Sequence, residues 1–148
     1  PPPHPPTMVS SSAASDVYKR QILVTLKQAA HPDTEFVAMN YYNTFLAFWL
    51  AGPAGQLLAY QSAALADILN YDVLGGVYGA FGIPVADVAR AFDSNNFGTN
   101  QDTGLPQNVL NICIQTWMCA PSPVGPNIHA NRYGYGVIAA TIAAQLHQ

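Results

Sequence analysis

Two short apolar runs, Glu35 to Asn40 (EFVAMN) and Ile83 to Val88 (IPVADV), constrain this chain more than any other feature. Each lies between turn signals, and each reads as a strand buried on both faces. Between them runs a long helical pattern from Ala54 to Phe81. Leu58, Leu65, Ile68 and Leu69 share one face of it, and Val73, Val77 and Phe81 continue that face at i+4 steps. Strand and helix in alternation predict an α/β fold with a parallel sheet. Two strands do not complete such a sheet, because a strand covered on both faces needs neighbours and helices on each side. The chain is therefore expected to hold the second half of an α/β layer.

The remaining pattern fills in around this unit. Ile22, Leu23, Leu26 and Ala29 or Ala30 have helical spacing over residues 22–31, and Pro32 stops the helix. Residues 41–54 read as a loop with one helical turn near Phe45 to Leu50. Gly75, Gly76 and Gly79 weaken the end of the long helix, and Gly82 terminates it. Asp87 is placed to cap a short helix, and residues 93–105 form a polar loop. Pro106 suits the first turn of a helix running to about Gln115. A Pro-rich loop from Thr116 to Asn127 leads to a last helix over about His129 to Leu146. Trp117 and Met118 are expected in the core beneath that loop.

Composition narrows the function classes. Only 9% of the 148 residues are charged, 8 acidic and 5 basic, against about 25% in ordinary domains. Half are hydrophobic, which excludes disorder for the body of the chain. A net charge of -3, a pI near 5.6 and no basic stripe argue against nucleic acid as a partner. No transmembrane segment is expected. The most apolar stretches, Thr44 to Ala54 and Gly136 to Ala144, fall well short of the roughly 20 residues a span needs. No signal peptide is visible at the PPPHPPT start.

Residues 1–21 differ in composition from everything after them, being rich in Pro and Ser. They read as a disordered tail. The string Val9 to Gln21, VSSSAASDVYKRQ, also resembles a translated sequencing adaptor, which would make the segment foreign to the fold. The organised domain is then expected over 22–148.

The chemistry-bearing residue is His129, in GPNIHANRYGYGVIAATIAAQL. Histidine titrates near neutral pH and serves as a general base, although one His before a helix is by itself more often a cap or surface residue. Asn40, Tyr41 and Tyr42 follow a strand, where open α/β sheets place their ligand crevice, and are candidates for a pocket. His31 and His147 read as surface residues. Neither metal-ligand spacing nor a cofactor motif is present, so no cofactor is expected.

The segment NIHANRYGYGVIA resembles the block that supplies the catalytic histidine in the SGNH (GDSL) hydrolases. Upstream, ILVTLKQAAHPDTEFVAMNYYNTFLAFWL, FGIPVADVARAF and NVLNICIQTWMCAPSPVGPNIHAN resemble, in order, segments of a secreted bacterial branch of that family. The resemblance covers about 22–148. It implies a three-layer α/β/α sandwich, a small-molecule ester substrate, an extracellular parent protein, and His129 as the base that activates a serine. The family's Gly-Asp-Ser, Gly and Asn blocks are not in these residues, so the chain is expected to be inactive alone and to be the C-terminal part of a longer enzyme. Asp93-Ser94 lacks the Gly and is not accepted as the nucleophile. Where the family has an Asp to orient its histidine, this chain has Pro126 and Asn127. A main-chain carbonyl such as that of Pro126 is expected to hold the ring instead. The resemblance to secreted enzymes also favours a disulfide between Cys113 and Cys119, with two buried thiols as the alternative. The competing reading of the whole chain is a small α/β binding or structural domain without catalysis.

Overall fold

The computed structural model describes residues 8–146. The chain is a mixed α/β protein dominated by helix. In order it forms α1 (Met8–Ala29), β1 (Ala38–Met39), a 3₁₀ helix (Thr44–Ala51), α2 (Pro53–Asp67), a π-helical stretch (Ile68–Leu74) and α3 (Gly75–Ala80). Then follow β2 (Val85–Ala86), α4 (Val88–Ala91), α5 (Gln107–Gln115), β3 (Thr116–Trp117), β4 (Asn127–Ala130) and α6 (Arg132–Ala143).

The two apolar runs do pair in parallel, Ala38 with Val85 and Met39 with Ala86. The strands are shorter than the runs that contain them. Among the described residues this sheet stops at two strands, and a second, antiparallel pair joins β3 to β4. The sheet pairs sit against a core of Leu46, Ala63, Val88, Phe92, Val109 and Ile112. Tyr42 stacks on Phe92 with ring centroids 4.4 Å apart. Met118 packs against this core, whereas Trp117 is 42% exposed and lies outside it.

The expected helix over 22–31 begins earlier, at Met8, and runs through residue 21 without a break. The expected disordered tail is thus helical from residue 8 onward, and its residues 1–7 lie outside the described residues. From Val17 on, α1 is mostly solvent-exposed, including Ile22 and Leu26 of its apolar stripe. It is tied to the body where Lys27 Nζ donates to the Phe81 carbonyl at 2.9 Å.

The long helix over 54–81 forms as α2, the π stretch and α3 in one continuous run, but the face it buries is not the leucine face. Leu58, Leu65, Ile68 and Leu69 are 43–67% exposed. The buried positions are Gly55, Ala59 and Ala63, then Asn70, Leu74 and Val77. The small residues let α2 lie directly on the 3₁₀ helix: a Cβ at Gly55 would collide with the Phe48 carbonyl oxygen. In the π stretch the Gly75 N–H bonds to the carbonyl of Asn70, five residues back. Asn70 itself turns inward and clamps the backbone of Tyr41, accepting its N–H at 3.0 Å and donating to its carbonyl at 2.8 Å.

Other local signals hold. Asp87 caps α4 by accepting the Arg90 N–H at 3.1 Å, and Pro106 stands immediately before α5. The last helix starts later than its apolar pattern, at Arg132, because residues 127–130 are drawn into β4.

Candidate functional site

His129 lies on strand β4, not at the start of a helix. Its position is fixed from α5 outward. Thr116 Oγ1 donates to the Ile112 carbonyl at 2.6 Å and accepts the Met118 N–H at 3.1 Å, which closes the end of α5 and starts β3. The Cys113–Cys119 disulfide ties α5 to the residues just after β3. Strand β3 holds β4 through the pairs Thr116–Ala130 and Trp117–Asn127.

On the far side Asn131 anchors the strand. Its side chain caps α6 by accepting the N–H groups of Tyr133 and Gly134, and donates to the Ile114 carbonyl at 2.6 Å. Gly134 allows this contact, since a Cβ there would collide with the Gln115 carbonyl oxygen. Sequence reasoning passed over Asn131, although an Asn directly before an apolar helical run is an N-cap signal.

Asn127, not Pro126, orients the histidine ring. Asn127 Oδ1 accepts the backbone N–H of His129 at 2.9 Å and lies 2.6 Å from its Nδ1. A backbone N–H is only a donor, so the atom facing it is the amide oxygen, which only accepts. The ring contact at 2.6 Å is then matched by the neutral tautomer with its proton on Nδ1, which leaves the lone pair on Nε2. The His129 side chain is exposed, so that lone pair is accessible from solvent. Pro126 is exposed.

The three other candidates separate. Asn40 is 1% exposed, and both ends of its amide are occupied. Its Oδ1 accepts the Ala89 N–H at 2.9 Å and its Nδ2 donates to Asp87 Oδ1 at 2.7 Å. It braces the ends of the parallel strands. Tyr41 and Tyr42 line an apolar cavity of about 300 Å³ together with Ile128 and Tyr135. The Tyr42 hydroxyl donates to the Ile128 carbonyl at 3.1 Å, which links this cavity to the strand carrying His129. Burial pushes the Tyr42 phenol above its ordinary range.

Asp87 collects a third partner, the Tyr71 hydroxyl, at 3.2 Å. Burial, and next the Asp87 carboxylate, push the Tyr71 phenol up to about 12. Ser94 is 5% exposed and, among the described residues, its hydroxyl has no hydrogen-bond partner, His129 included. Among the described residues, no group of three His, Cys, Asp or Glu side chains could hold a metal ion, and no helix is long and apolar enough to cross a membrane. No family model, curated protein sequence or solved structure matches the chain.

Proposed function

We propose that this chain carries the base half of an ester-hydrolase active site, with His129 as general base and the serine nucleophile supplied by a segment outside these 148 residues. One observation carries the reading: Asn127 Oδ1 accepts the His129 backbone N–H and lies 2.6 Å from its Nδ1, a contact that the tautomer with Nε2 as the accepting nitrogen satisfies. That is the protonation state a base needs to take a hydroxyl proton and later return it to a leaving alcohol. In a Ser-His-Asp triad, replacing the carboxylate by an amide costs about 10⁴ in turnover, because the wrong tautomer results. Here the backbone N–H holds the amide oxygen toward the ring, so the tautomer survives and only the negative charge is missing. The cavity lined by Tyr41, Tyr42, Ile128 and Tyr135 suits a small acyl group. In the same reading the parallel pair β1–β2 belongs to a three-layer sandwich, and the disulfide to an extracellular parent protein.

A second reading, a non-catalytic α/β domain, is favoured by one fact. Among the described residues, the bonds made by His129 go to Asn127 and not to a Ser, Thr or Cys side chain. The coding DNA upstream of codon 22 separates the two. An in-frame Gly-Asp-Ser is expected, and an authentic start at Met8 would overturn the hydrolase reading. The chain alone should not hydrolyse p-nitrophenyl acetate above buffer. Joined to its upstream segment it should, and His129→Ala should abolish that turnover. Asn127→Asp in the joined enzyme should gain less than about a hundredfold, since the tautomer is already set.

A further inference from the structure

The leucine face of the long helix is largely exposed. Leu58, Leu65 and Ile68 recur at intervals of seven and three, forming a ridge 50–67% exposed along α2 and the π stretch. Beside that ridge lies a groove of about 300 Å³ lined by Tyr41, Phe45, Leu65 and Leu69, almost wholly apolar. Ridge and groove share one face of one molecule, which is the requirement for an isologous contact: each copy inserts its ridge into the other's groove about a two-fold axis.

We propose that this face is the dimer interface of the chain, and that its occupant is a second copy. Charge permits it, because no Asp, Glu, Lys, Arg or His occurs from Phe36 to Ala66. Two copies therefore bring no like charges together along α2 and the Tyr41–Phe45 segment, while Asp67, next to Ile68, and Lys19, which shares a cavity with Tyr41 and Leu69, stand at the edge of the patch. The area also suffices. Tyr41, Phe45, Leu58, Leu65, Ile68 and Leu69 are each 43–67% exposed. With side chains of this size, that comes to about 600 Å² per copy, or about 1,200 Å² for the pair, where standard protein interfaces begin. A monomer would leave exposed an apolar patch at the upper end of what monomers ordinarily show.

Sedimentation velocity on the full 148-residue chain, from about 1 to about 100 µM, tests this. The wild type should be a dimer. Leu65→Glu should raise the dissociation constant at least about a hundredfold, because it puts a charge into the seam. Its far-ultraviolet circular dichroism should be unchanged, since Leu65 is 67% exposed in one copy. Leu58→Lys provides the same test at the other end of the ridge should Leu65→Glu not fold. Ile114→Glu, on α5 and outside the groove, should leave the dimer intact. A wild-type monomer at every concentration would overturn the proposal. So would a dimer indifferent to both ridge variants, or open-ended aggregates that they do not disperse.

Discussion

Asn40 offers the sharpest test of the structure, because a bracing role and a pocket role predict opposite results. Its amide makes two bonds in a site 1% exposed: one from the Ala89 N–H at 2.9 Å, and one to the Asp87 carboxylate at 2.7 Å. Asn40→Ala strands a buried N–H, which costs about 1–3 kcal/mol, and removes a bond to a charged acceptor worth about 1.5–3 kcal/mol. The variant should lose about 3–5 kcal/mol of stability. Asn40→Asp has the same shape and retains an acceptor for Ala89, but it sets a second carboxylate against Asp87. Two unit charges about 4 Å apart repel by about 4 kcal/mol at an effective dielectric constant of about 20. The pair would then hold a proton more tightly than the unfolded chain does. Stability is therefore retained below the ordinary Asp range, about pH 4, and falls as pH rises through the raised value in the folded protein. Urea unfolding followed by tryptophan fluorescence at pH 4 and pH 7 measures both effects. If Asn40→Ala costs less than about 1 kcal/mol, or Asn40→Asp shows no pH dependence, the bracing role is refuted.

Two other measurements follow from the same geometry. Reducing Cys113–Cys119 should lower stability by roughly 2 kcal/mol, as expected for so short a closed loop. The alkylated mass and the shift of the urea midpoint would report it. The Tyr71 phenol, pushed up to about 12, should ionise last among the tyrosines in an absorbance titration at 295 nm. Its interaction with Asp87 stabilises the fold below pH 10 and is lost as pH rises through about 12. Tyr71→Phe should remove that part of the alkaline stability loss.

The candidate residues were legible in the sequence singly, and their arrangement was not. His129 stood out as a candidate because its type and its surrounding block point to base chemistry. Tyr41 and Tyr42 stood out as candidates because they follow a strand, and both line a cavity. Asn127 could be read only as a missing carboxylate. The amide takes its role from β4, whose backbone turns the His129 N–H and the ring toward the same oxygen. Asn40 shares the position of Tyr41 after the strand, yet the pairing of β1 with β2 brings Asp87 and Ala89 to it and removes it from solvent.

The sequence by itself determined what depends on neighbours along the chain: the Asp87 cap, the Pro106 start of α5, the continuous helical run from Pro53 to Ala80, and the two apolar runs that pair as parallel strands. Local sterics and local hydrogen bonds suffice for the cap, the helix start and the helical run, and local hydrophobic patterning for the existence of the two apolar runs, whose pairing is a long-range contact. Tertiary structure decided which side of that helix is buried. Periodicity marks an apolar face, but it does not say what that face will meet. Gly55, Ala59 and Ala63 permit a closer approach to the 3₁₀ helix than leucines would, so the small residues face inward and Leu58, Leu65 and Ile68 are left on the surface.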